Sequence, residues 1–186
     1  MKFAMLTVCN AALLMSVVVL CSGVSHAQTA SVRYFGQTCG RPVPYGSPAI
    51  AATLPKIGSI WGAQILGMRA VRETGFGCEH GGLAYLVLGT SRSQWHGVGL
   101  PALLPLSMTD GFACLAQVSV DAVLQGSISR SGGDYVGTIP NDVSLLGGRV
   151  YAQWYVNYWT LWAISCPIYF TPHWVTSDAV ELTIGV

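Results

Sequence analysis

From Arg149 to Asn157 apolar and amphipathic residues alternate without interruption. Val150, Ala152, Trp154 and Val156 fall on one side, and Tyr151, Gln153, Tyr155 and Asn157 on the other. A period of two marks a β-strand with one face in a core. Shorter apolar runs, many β-branched, recur at 29–34, 49–54, 59–71, 83–88, 113–118, 120–126, 135–139, 166–170, 174–175 and 180–186. Residues 36–48 are dense in Gly and Pro and read as an ordered loop, and Pro101 and Pro105 keep residues 98–107 out of any central strand. Ser131-Gly132-Gly133-Asp134 reads as a hairpin connection, with Asp134 and Asp142 as turn residues. Only residues 142–146 resemble a turn of helix, stopped by Gly147-Gly148. About nine to eleven short strands between Gly/Pro turns predict an all-β fold: a single antiparallel β-sandwich, jelly-roll or immunoglobulin-like. Residues 180–186 are expected to close the sheet.

The first 27 residues break this pattern. Lys2 is followed by a mostly apolar stretch over residues 11–20, and Ser25-His26-Ala27 places small residues at −3 and −1 of a cut, as in a cleaved secretion signal. A retained anchor would need roughly 20 apolar residues, and here Asn10 interrupts one side while Ser22, Gly23, Ser25 and His26 close the other. Lipidation at Cys21 is disfavoured by the bulky Leu20 before it, and the absence of twin arginines points to the general secretion route. The expected organisation is a signal peptide at 1–27 and one domain at 28–186, secreted or at the cell surface, with no membrane span after cleavage.

Charge narrows the partners. Without Lys2, eight Lys and Arg balance eight Asp and Glu, so the mature chain is neutral with histidine uncharged. Nucleic acid and anionic membranes call for clustered base. Soluble domains typically carry about 25% charged residues, against 9% in this chain. Its surface must therefore be coated by uncharged polar groups or be partly buried in an assembly. A domain of this length buries roughly 70% of its unfolded surface, so it needs no metal to hold a core.

Four cysteines outlast cleavage: Cys39, Cys78, Cys114 and Cys166. An even number in an exported chain reads as two disulfides. Three pairings are open, and Cys39 with Cys114 and Cys78 with Cys166 is favoured.

Three stretches carry a resemblance when taken in order. They are Leu54-Pro55-Lys56-Ile57-Gly58; Leu86-Val87-Leu88-Gly89 followed by Leu100-Pro101; and residues 139–147, Ile-Pro-Asn-Asp-Val-Ser-Leu-Leu-Gly, with Tyr151-Ala152-Gln153. Over about residues 35–186 the chain resembles an uncharacterised secreted β-sandwich domain of exported proteins from planctomycetes and related bacteria. The early Gly-x-x-Cys loop of that family is matched by Gly36-Gln37-Thr38-Cys39. Its later Gly-Cys is met by Ala113-Cys114, without the glycine. Cys78, Cys166 and the aromatic run near Trp159 lie outside its pattern. The resemblance implies a sandwich and an extracellular address, and no activity.

No catalytic constellation stands out. Cys78-Glu79-His80 could begin a metal site, but His96 and His173 are remote in sequence and a disulfide beside a solvated loop accounts for it. The acidic residues are scattered singly, and no Gly-x-Ser-x-Gly elbow is present. No cofactor is expected. Tyr151, Trp154, Tyr155, Tyr158, Trp159 and Trp162 crowd twelve residues. Trp154, and with it Tyr158, is expected in the core. Tyr151, Gln153, Tyr155, Asn157 and Trp159 face the other way, either under a second layer or outward as a protein interface or glycan platform. Together these features predict a secreted, non-enzymatic structural or interaction protein, a self-assembling subunit of an extracellular filament or surface layer, with a carbohydrate-binding module as the alternative.

Overall fold

The computed structural model describes residues 28–39, 48–67, 81–105, 109, 113–129, 132–159 and 172–186. The expected signal peptide, Cys78, Cys166 and the strand expected at 166–170 lie outside them. The described strands are β1 (Ser31–Phe35), β2 (Ala49–Ala52), β3 (Ile60–Leu66), β4 (Gly81–Gly89), β5 (Gln94–Trp95), β6 (Val98–Gly99), β7 (Ala102–Leu103), β8 (Leu115–Ala116), β9 (Ala122–Ser129), β10 (Gly132–Thr138), β11 (Arg149–Trp159) and β12 (Pro172–Thr183). Among the described residues a single 3-10 turn, Val143–Leu145, is capped by the Asp142 carboxylate, which accepts from Ser144 N. The protein is all-β, and every pairing between strands is antiparallel.

Eight strands form one sheet in the order β1-β12-β11-β4-β9-β10-β3-β2. β9 joins its two halves: Ala122 to Gly126 pair with β4, and Ser127 to Ser129 pair with β10. The sheet bends there, which folds β10-β3-β2 across β1-β12-β11-β4. Gly126 marks the corner. A Cβ at this position would sit 2.6 Å from Cη2 of Trp154, so the missing side chain makes room for the indole at the centre of the core.

The alternation written into the strands decides what fills the space between the layers. Trp61, Ala63 and Ile65 of β3 and Ile50 of β2 meet Ala84, Leu86, Ala152, Trp154, Val156, Val175, Val180 and Leu182. Their burial is the main favourable term holding the layers together. Where the folded sheet meets itself, Ile50 N donates to Asp178 Oδ1 at 2.8 Å and Ala52 N to the Tyr34 hydroxyl at 3.3 Å. Ile57 N donates to Gly185 O at 2.9 Å.

Two expectations change. The apolar stretch at 174–175 and residues 180–183 of the stretch at 180–186 belong to one strand, β12, which lies between β1 and β11. A bulge spans the polar pair between them: Gln153 faces Ala179 while Tyr155 faces Thr176, leaving Ser177 and Asp178 opposite Trp154. Asp134 is not a turn residue. It sits inside β10 opposite Gln64, because the connection tightens to put Gly132 opposite Ser129.

Candidate functional site

The face carrying Tyr151, Gln153, Tyr155 and Asn157 is covered. Residues 113–121 run across it as a strap, packing Val118 and Val120 on Val87, Tyr151, Ala179, Phe35 and Tyr155. Tyr151 is 8% exposed and Gln153 0%, so of the two arrangements expected for these residues the structure has the one under a second layer. Period two assigned these side chains to one face correctly. It carried no information about which other segment lies on that face. Trp159 ends β11 opposite Gly81 and Pro172, and its side chain is outside the described residues, as is that of Tyr158.

The Cys39–Cys114 disulfide fastens the strap at one end, linking residues 75 apart. The favoured partner of Cys39 was therefore right. Thr176 supports the link from beneath, its N lying 3.2 Å and its hydroxyl 3.4 Å from Cys39 Sγ.

Two glutamines then hold irregular backbone as a neighbouring strand would. Gln153 Oε1 accepts from Gln117 N at 2.9 Å, while its Nε2 donates to Leu115 O at 3.0 Å and Ser177 O at 2.8 Å. Gln117 repeats the device on the chain after β1. Its Oε1 accepts from Gln37 N at 3.0 Å, and its Nε2 donates to Gln37 O at 2.5 Å and Ser177 O at 3.2 Å. The bulge supplies their shared acceptor by turning the Ser177 carbonyl toward the strap, and the Ser177 hydroxyl takes the Trp154 N–H at 3.0 Å. Buried main-chain groups must find partners, and here the amides provide them. Gln153 is thus a clamp, a role that the alternation in the sequence did not indicate.

Packing beneath the strap changes the chemistry of what it covers. Burial pushes the Tyr155 phenol up to about 12. The Tyr155 hydroxyl and Asn157 Oδ1 are buried without a hydrogen-bond partner among the described residues.

Other polar groups form turns. Asp121 Oδ2 accepts from Thr90 N at 2.7 Å, the Thr90 hydroxyl at 2.6 Å and the Ser119 hydroxyl at 3.0 Å. The Thr90 bonds lead in holding this carboxyl below its ordinary value. The group ties the end of β4 to the strap, with Ser119 Oγ bonded directly to the carboxylate and no histidine between them. Among the described residues no three His, Cys, Asp or Glu side chains gather as metal ligands, while Cys78-Glu79-His80 falls outside the description. No described helix is long and apolar enough to cross a membrane.

The surface left open is the outer side of β3 and β10, which sequence reading missed. Ile60 is 72% exposed and Val136 63%. Thr138 pairs with Ile60 and Val136 with Gly62, so the two aliphatic residues are diagonal neighbours on one face, and Asp134 beside Gln64 gives that face a polar end. Leu66 is exposed further along β3. The available signal was that β3 is apolar on both sides, Trp61, Ala63 and Ile65 on one and Ile60 and Leu66 on the other.

Compared with known proteins, the chain matches no family model, no curated protein and no solved structure.

Proposed function

We propose that this is an exported, non-enzymatic interaction protein, a self-assembling subunit of an extracellular filament or surface layer, in which copies meet through the outer face of β3 and β10. The observation that carries the proposal is the adjacent, solvent-exposed pair Ile60 and Val136 on a sheet face that no described segment covers. Clustered aliphatic exposure of this kind marks contact surfaces.

Two further facts support a second copy as the occupant. Residues 28–186 carry eight charges of each sign, so copies meet without net repulsion. The edge of β2 is closed to strand addition, because Ile50 N and Ala52 N already donate to Asp178 and Tyr34. Association through that edge is thereby disfavoured. The Cys39–Cys114 disulfide is consistent with an oxidising extracellular setting. Glycan binding through Tyr151 and Tyr155 loses its platform, since the strap lies on top of them.

Light scattering on the oxidised protein over a rising concentration series tests the proposal. A mass that climbs above that of one chain is expected, and a constant monomer mass up to high concentration refutes it.

A further inference from the structure

At the end of the sandwich where β3, β9 and β11 begin and β4, β10 and β12 finish, the two layers do not fill the space between them. A pocket of about 220 Å³ remains. Trp61 and Tyr135 form one wall, Leu88 and Leu124 the floor, and Val150 and Leu182 the other wall, with Leu145 of the 3-10 turn at the mouth beside Thr138 and Pro140. No charged side chain is among the lining residues.

The origin of the space is visible in the register. Gly137 stands opposite Trp61, at an inward position of β10 where a side chain would otherwise occupy the interior. Instead the Tyr135 ring folds back along the strand, and a Cβ on Gly137 would lie 3.0 Å from Tyr135 Cε1. The two aromatic rings remain in contact, 6.2 Å between centroids. The Trp61 indole N–H is itself fully buried and presents no open donor to the space.

We infer that this pocket is a binding site for a small, neutral, apolar molecule. Size sets the class. An apolar cavity of about 150 Å³ holds benzene and stays dry, so the larger space here suits a compact chain or ring of roughly eight to ten heavy atoms. The lining sets the polarity, because a charged group would lose its hydration with nothing to replace it. Nothing in this site depends on the β3–β10 outer face, so either assignment can fail alone.

The test is a titration of the oxidised, isotope-labelled protein with 1-octanol, followed through the indole N–H resonances of its six tryptophans. Trp61→Phe identifies the Trp61 signal by its loss. The expected result is a saturable shift of that signal, because the Trp61 ring lines the pocket, while the other indole signals stay in place. Val150→Phe fills the pocket and is expected to weaken the response at least about tenfold. If Val150→Phe does not fold, Leu145→Phe fills the same space from the mouth. A Trp61 signal unmoved up to the solubility limit of octanol overturns the assignment. So does a shift of undiminished affinity in a folded pocket-filling variant.

Discussion

Asp178 Oδ1 accepts the main-chain N–H of Ile50 at 2.8 Å, so a carboxylate on the bulge of β12 takes the place of the strand that would otherwise pair with the open edge of β2. The bulge makes this reach possible, and the buried, folded-over position of β2 makes it necessary. Asp178→Ala leaves the N–H of buried Ile50 without its acceptor. The expected loss is about 1–2 kcal/mol, read by urea denaturation, together with a greater tendency of β2 to pair with other chains on partial unfolding. Asp178→Asn keeps an acceptor oxygen and should be at least as stable as the wild type at neutral pH.

The same carboxyl has a pH signature. Burial pushes it above its ordinary value of 3.8, outweighing the Ile50 N–H that favours the charged form. The native state therefore holds this proton more tightly than the unfolded chain does. Its contribution to stability is fully present below 3.8 and is lost as pH rises through the raised native value. Melting temperature against pH should fall across that window more steeply in the wild type than in Asp178→Asn. Parallel profiles would show that Asp178 is not the group responsible.

Gln153 offers a sharper probe of the strap. Gln153→Ala strips partners from Gln117 N, Leu115 O and Ser177 O at once. Leu115 O and Ser177 O keep the Thr176 hydroxyl and Gln117 Nε2 as donors, so Gln117 N is the group left unpaired and a loss of about 1–3 kcal/mol is expected. As the strap loosens, water should reach Tyr155 and bring its phenol down from about 12 toward the ordinary value of 10. Ultraviolet titration of the folded variant reads this directly. A phenol still near 12 would mean that the strap stays seated without the Gln153 clamp.

The disulfide acts on the same element. Replacing Cys39 and Cys114 together by alanine spares the other cysteines and removes a link across 75 residues. A chain-entropy estimate for a loop of that size is about 4 kcal/mol, and native links usually contribute about 2–5 kcal/mol. Chemical denaturation of the double variant should therefore show a loss in that range. A loss under about 1 kcal/mol would mean that the glutamine clamps hold the strap unaided.

Much of the layer structure was legible, and the reason is local. The side of a strand on which Trp154 falls depends on alternation within a few residues, and alternation is in the sequence. The Ser177-Asp178 bulge was illegible because two polar residues inside an apolar run look like a break between strands. They remain in the strand because Gln153, Gln117 and Trp154 N use the groups that the bulge exposes. The strap was hidden for a different reason. Its contacts join positions distant in sequence, 36 apart for Gln117 and Gln153, and only the pairing of Cys114 with Cys39 hinted that residues 113–121 cross the Tyr151 face. Asp134 was misread because the Gly132-Gly133 pair before it resembles a turn, whereas both glycines are already strand, opposite Ser129 and Ile128.

Sedimentation equilibrium of the wild type beside the Ile60→Glu/Val136→Glu double variant addresses the proposed assembly most directly. Both side chains point into solvent, so the charges should leave the fold intact, which the melting temperature verifies. The proposal predicts concentration-dependent association of the wild type, weakened at least about tenfold in the variant by two buried like charges per copy. A wild type that remains monomeric, or an association constant unchanged by the two glutamates, would contradict it.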